Sequence, residues 1–195
     1  MVEKEYMMGK IILASSSPRR AEILKSKYDF EIVPSPYVEN HSTTAFSYDY
    51  VQGLAYNKAK AVIPLVDKDC SIIGADTVVV LEGEILEKPK DINDAKRMLR
   101  ELSGKTHQVV TAIALVDTKT GRTEINSTTS NVTFNDLTDE MINFYVNNFK
   151  PLDKAGAYGI QELPDGFVKE FSGSLENIIG ICPVALENLF KRFTV

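Results

Sequence analysis

The sequence predicts an α/β protein with a mixed central sheet flanked by helices. Two observations carry that expectation. Strand-like and helix-like segments alternate through the first half of the 195-residue chain, the pattern of parallel strands joined by crossovers. In the middle, long strand-like segments then follow one another with only a short turn between them, the pattern of antiparallel pairs. No repeat, low-complexity tract or linker divides the chain. One domain over 1–195 is therefore expected, with residues 1–9 read as an extension ahead of the first strand.

Each element has its own signal. Lys10 to Ala14 is a short apolar run, a buried strand. Three serines and Pro18 then open a helical pattern through Lys25, and Ser17 is its predicted N-cap. Phe30 to Val33 reads as a second strand, stopped by Pro34 and Pro36. A polar loop leads to a helix over roughly Ser47 to Val62, whose apolar residues recur three and four apart. Ser71 to Leu81 is rich in β-branched residues, and Glu82-Gly83 turns it into a hairpin partner at Glu84 to Leu86.

Asp91 caps a helix whose core face is Ala95, Met98, Leu99 and Leu102, with Gly104 as its stop. Val109 to Val116 and Thr123 to Phe134 are strands joined by a hairpin loop over Asp117 to Arg122. Thr138 caps a helix over Asp139 to Asn147, and the acids of its first turn suit the helix dipole. Pro151 to Glu162 reads as a glycine-containing loop or short strand, Phe167 to Phe171 as a strand, and Pro183 as the start of a last helix.

Composition excludes several functions. Hydrophobic residues make up 44% and charged residues 25%, which is globular rather than disordered. A net charge of -5 argues against gripping polymeric nucleic acid, which calls for a basic face. Two distant cysteines, Cys70 and Cys182, give no disulfide framework or thiolate zinc site. Two histidines, His41 and His107, are too few for a His-rich metal centre. No apolar window is long enough to span a membrane, and the N-terminus lacks a signal-peptide core, so a cytoplasmic location is expected. The sequons at Asn40, Asn126 and Asn131 then read as chance matches.

Two short motifs carry the chemistry. In Ser15-Ser16-Ser17-Pro18-Arg19-Arg20, two arginines sit in the first turn of a helix, where the dipole disfavours cations by about 0.3–1 kcal/mol each. An anion bound there, held by free amides, hydroxyls and guanidinium forks, would reverse that penalty. The alternative is that both arginines point into solvent or pair with Glu22 and other acids. In Gly74-Ala75-Asp76-Thr77, a carboxylate stands inside an apolar strand, which is costly unless it is partnered. Backbone amides, a lysine, a divalent metal or a role as general base would each account for it. Lys58, Lys88, Glu39 and Gln161 have no signature of their own. Ser103-Gly104-Lys105-Thr106 ends like a phosphate-binding loop, but Leu99 stands where that motif needs glycine, and the helix precedes it.

Together these motifs resemble the Maf family of nucleoside triphosphate pyrophosphatases. The resemblance runs from about Ile11 to Phe193. It also includes Asn57-Lys58-Ala59-Lys60-Ala61, Glu87-Lys88-Pro89, Leu102-Ser103-Gly104-Lys105-Thr106-His107-Gln108-Val109 and Lys154-Ala155-Gly156-Ala157-Tyr158-Gly159-Ile160-Gln161. It implies a mixed sheet with two lobes around a cleft, similar to inosine triphosphate pyrophosphatases. It implies hydrolysis between the α and β phosphates with a divalent cation, Mg²⁺ or Mn²⁺, and a homodimer.

By position, Asp76 matches the family's catalytic acid, and Lys58 and Lys88 match its basic cleft residues. Glu39 matches a loop glutamate taken with Asp76 as metal-binding, although Val38 stands where the family often has a second acid. Arg19, Thr77 and Gln161 match the positions that distinguish subgroups, and these three residue types resemble the subgroup acting on dTTP and UTP. The subgroup acting on 7-methyl-GTP tends to carry a tryptophan near the first position, and this chain has none. Ser15, Ser17 and Arg20 complete the expected substrate-binding set. On this reading Arg19, Arg20, Lys58 and Lys88 form a basic pocket in an acidic protein. A modified-nucleotide substrate, or a weakly catalytic regulator of septum formation, is the alternative.

Overall fold

The computed structural model describes residues 9–39 and 44–193. Among these, seven strands form one sheet in the order β2-β1-β3-β5-β6-β7, with β4 also on β3. β1 (Lys10–Leu13) lies parallel to both β2 (Glu31–Ile32) and β3 (Cys70–Leu81). β4 (Glu84–Leu86), β5 (Thr106–Asp117), β6 (Thr123–Phe134) and β7 (Val168–Ser172) join by antiparallel pairs. The mixed sheet is therefore as the sequence predicts.

Among the described residues, six α-helices surround it: α1 (Pro18–Lys25), α2 (Tyr48–Lys60), α3 (Ile92–Leu102), α4 (Asp139–Phe149), α5 (Leu175–Ile179) and α6 (Pro183–Phe193). The side chains of Ser47, Asp91 and Thr138 accept from Tyr50, Asp94 and Met141 amides, which fixes where α2, α3 and α4 begin.

β3 organises the molecule. Apart from Thr77, its whole length is buried, and its side chains alternate between the two faces of the sheet. On one face, Ile72, Val78 and Val80 pack beneath α2 through Val51, Ala55 and Ala59. Gly74 makes that approach possible, because a Cβ there would lie 2.2 Å from the Ala55 carbonyl oxygen. The other face carries two separate cores. Ile73 and Ala75 meet Leu24 of α1 with Leu186 and Leu189 of α6. Val79 and Leu81 meet Leu99 and Leu102 of α3 with Ile142 and Tyr145 of α4. Each fully buried leucine contributes about 1.5–3 kcal/mol through removal from water. Thr77 falls between these two cores, so this face has two lobes with a cleft between them.

The edge of β3 explains the cleft. β5 runs along one edge from Ser71 to Val80. On the other edge β1 pairs only with Cys70–Ile73 and β4 only with Val79–Leu81. Among the described residues, 74–78 therefore have no strand on that side. A crevice where neighbouring strands part is the usual place for a ligand in an open α/β sheet.

Some expectations need correction. Of the two alternatives for Pro151 to Glu162 the loop holds and the short strand does not, the loop carrying two single turns of 3₁₀ helix at Ala155–Ala157 and Ile160–Glu162. The short helix α5 was not anticipated. The extension expected at the N-terminus, up to residue 8, and the loop residues Asn40 and His41 lie outside the described residues. Among the described residues, no helix is long and apolar enough to cross a membrane.

Candidate active site

A cavity of ≈ 400 Å³ opens at the unpaired stretch of β3. All ten residues singled out from the sequence line it: Ser15, Ser17, Arg19, Arg20, Glu39, Lys58, Asp76, Thr77, Lys88 and Gln161. Strand alternation distributes the two central ones. Asp76 faces α2, and Thr77 faces α1, α5 and α6, so both faces of β3 supply chemistry to one crevice around its open edge.

On the α2 side, Lys58 projects from the last turns of the helix onto the Asp76 carboxylate. The same Nζ lies 2.7 Å from Glu39 Oε1. Two carboxylates thus converge on a single ammonium. Burial raises the Asp76 carboxyl above the ordinary carboxylate range; Lys58 opposes that shift, Glu39 reinforces it and Arg20 opposes it. Of the accounts open for this buried acid, lysine pairing is the one the structure shows.

On the other side, Arg20 is drawn inward rather than toward Glu22. Its Nε donates to the Gly180 carbonyl at 2.8 Å, Nη1 to Ser15 Oγ at 3.3 Å and Nη2 to Thr77 Oγ1 at 3.1 Å. Thr77 Oγ1 also lies 2.8 Å from Thr111 Oγ1, which donates to the Asn177 carbonyl at 2.9 Å. Burial lowers the Arg20 pKa, with Asp76 countering. The guanidinium fork is therefore a fixed brace between β1, β3 and the end of α5. Arg19 is looser, with Nη1 at 3.5 Å from Asp153 Oδ2.

Ser17 stands at the N-cap of α1, as expected, but its side chain makes no capping hydrogen bond. Its amide instead donates to Ser15 Oγ at 3.2 Å. The helix terminus is left without its own side-chain acceptor, and an external oxyanion can take that place. Lys88 and Gln161 are exposed at the rim of the cavity.

The expectation of a basic pocket is not met. Beside Arg19, Arg20, Lys58, Lys88 and Lys154, the lining holds Glu39, Asp76, Glu87, Asp153 and Glu162, so cations and carboxylates balance. Sequence reasoning passed over Asp153, Lys154 and Glu87 because each is an ordinary charged loop residue in one dimension. The adjacent pairs Asp153-Lys154 and Glu87-Lys88 were the available signal. The Gly180 carbonyl that anchors Arg20 had none, since the contact spans 160 positions. His107 is not part of this chemistry. It is buried against Phe134 and Tyr158, its Nε2 lies 2.7 Å from the Tyr158 hydroxyl, and burial pushes its pKa down to about 4.

A helix-flanked mixed sheet whose parted strands frame an acid, a lysine and an arginine-bearing helix start defines a phosphate-handling α/β protein. The Maf-like protein family model matches residues 10–193, and the chain belongs to that family. A Clostridium novyi (strain NT) relative named dTTP/UTP pyrophosphatase is 45% identical over 188 residues, covering 94% of this chain and 96% of the relative. An Escherichia coli (strain K12) protein of the same name is 44% identical over 187 residues, covering 95% and 94%. A solved HAM1 protein from Coxiella burnetii matches in fold alone, with a TM-score of 0.50 at 16% identity over 96% of this chain and 99% of that one.

Proposed function

We propose that this protein hydrolyses dTTP and UTP between the α and β phosphates, giving the nucleoside monophosphate and pyrophosphate. The observation that carries this reading is the convergence of all ten candidate residues on one cavity at the open edge of β3. The names of the curated relatives supply the substrate class.

A triphosphate brings about four negative charges, and phosphoryl transfer depends mostly on positioning and charge neutralisation. The balanced lining cannot supply that alone. Glu39 and Asp76 already share one cationic centre at Lys58 Nζ, and their hard oxygen donors suit Mg²⁺ or Mn²⁺ in the same neighbourhood. Such an ion would neutralise phosphate oxygens when bound. The chain's own residues do the rest. Asp76, whose carboxyl is raised by burial, takes a proton from the attacking water as the Pα–O bond forms. The bond from Pα to the bridging oxygen breaks, and pyrophosphate carries away the charge. Arg19, Lys58 and Lys88 face the developing charge. Arg20 holds the serine turn and Thr77 in place. Gln161 can both donate and accept, which matches the O4 and N3–H edge of uracil or thymine. A homodimer in the cytoplasm completes the reading.

A panel of dTTP, UTP, CTP and 7-methyl-GTP, read out as pyrophosphate, tests it. Preference for dTTP and UTP, lost on chelation of divalent cations, is the expected result. Preference for a purine would remove the assignment of Arg19, Thr77 and Gln161.

A further inference from the structure

We infer that Lys154 is a positioning residue that couples the base-reading turn to the phosphate end of the cleft, an inference that rests on the functional reading above. Lys154 is only 8% exposed although it lies on a loop. A buried ammonium is costly unless it is well paired. Its Nζ lies 2.8 Å from Asp153 Oδ1 and 3.1 Å from Glu162 Oε2. It therefore clasps both ends of the segment that carries Gln161.

The clasp is tight. The Lys154 stem runs beneath Gly159, where an added Cβ would meet its Cε at 2.9 Å and its Cδ at 3.1 Å. The Gly159 amide donates to the Tyr145 hydroxyl at 3.2 Å, and the Glu162 amide donates to the Gly159 carbonyl at 2.9 Å. Gln161 thus sits between a residue pinned from below and a residue pinned by Lys154. The other partner, Asp153, also holds Arg19 at 3.5 Å. One ammonium therefore links the rim residue facing the base to the acid that holds Arg19 of the serine turn. Lys154 fixes the span between the two ends of the substrate without touching the scissile bond.

The test is the kinetics of K154M, K154R and E162Q with UTP and CTP. K154M keeps the stem and removes the clasp. It is expected to raise KM for UTP by about tenfold, to change kcat by less than about threefold and to compress the UTP-over-CTP preference. K154R is expected to restore part of the KM and of the preference. Should K154M fail to fold, E162Q removes one arm only and is expected to move KM and the preference in the same direction by a smaller factor. KM and preference within about twofold of wild type in the folded variants would overturn the inference. A fall in kcat at unchanged KM would also overturn it, because that result places the ammonium on the reacting phosphates. Wild-type enzyme releasing no pyrophosphate from either nucleotide would instead remove the functional reading, and this inference with it.

Discussion

Asp76 and Asp117 are both buried acids on adjacent strands, at 5% and 1% exposure, and they do opposite things. Asp117 ends β5, and its carboxylate takes the Lys119 amide at 2.9 Å and the Thr120 hydroxyl at 2.6 Å. Its partners are two and three residues away, so the acid closes the β5–β6 hairpin and its interactions end there. Asp76 sits mid-strand, paired to β5 on one edge and, among the described residues, with no strand on the other, and its partner Lys58 comes from α2. A side-chain ammonium can move to another anion; a backbone amide in a turn cannot. Burial alone therefore does not mark a functional acid. The origin of its donors does.

Four outcomes sharpen or break that contrast. The largest is Asp76→Asn, expected to lower kcat by on the order of 10³-fold, about 4 kcal/mol in barrier, with the fold retained. Steady-state pyrophosphate release beside circular dichroism checks it, and near-normal turnover would refute the base role.

Next is pH. His107 ionises near 6.5 in the unfolded chain and is held at about 4 in the folded one. The unfolded chain alone takes up that proton in between, so this contribution to stability is complete above pH 6.5 and declines as pH falls toward 4, by about 3 kcal/mol. Urea midpoints across that range should show the decline, and His107→Gln should flatten it.

Third, Asp117→Ala should cost about 1–3 kcal/mol in stability, seen as a lower melting temperature, with kcat unchanged. An activity loss there would erase the distinction between the two acids. Smallest, Ser47→Ala removes the N-cap of α2 and should cost about 1 kcal/mol by the same measurement.

The strands and most helices were legible because their signals are local. The β-branched run of β3, the caps Asp91 and Thr138, and the apolar spacing of α2 and α3 all lie within one element. α5 escaped because five residues are too few to display a helical repeat, although Ser174 capping Asn177 and Gly180 just beyond were visible marks. The ten site residues were legible through resemblance and through two oddities, an acid in an apolar strand and a pair of arginines in the first turn of a helix. The balance of charge was not legible. It depends on Asp153, Glu87 and Glu162 arriving from distant segments, which only the closed fold brings together. Arg20 shows the same limit: its position in the first helical turn suggested an anion ligand, but the Gly180 carbonyl and Thr77 fix it as a brace.

The claim at the centre is that the open edge of β3 seats a triphosphate for attack at its α phosphorus. Phosphorus-31 NMR of UTP turned over with Mg²⁺ by wild type, Asp117→Asn and Asp76→Asn tests it most directly. The account predicts UMP and pyrophosphate appearing together from the first two proteins and neither from the third. Orthophosphate with UDP as the first products, or equal turnover by all three proteins, would contradict it.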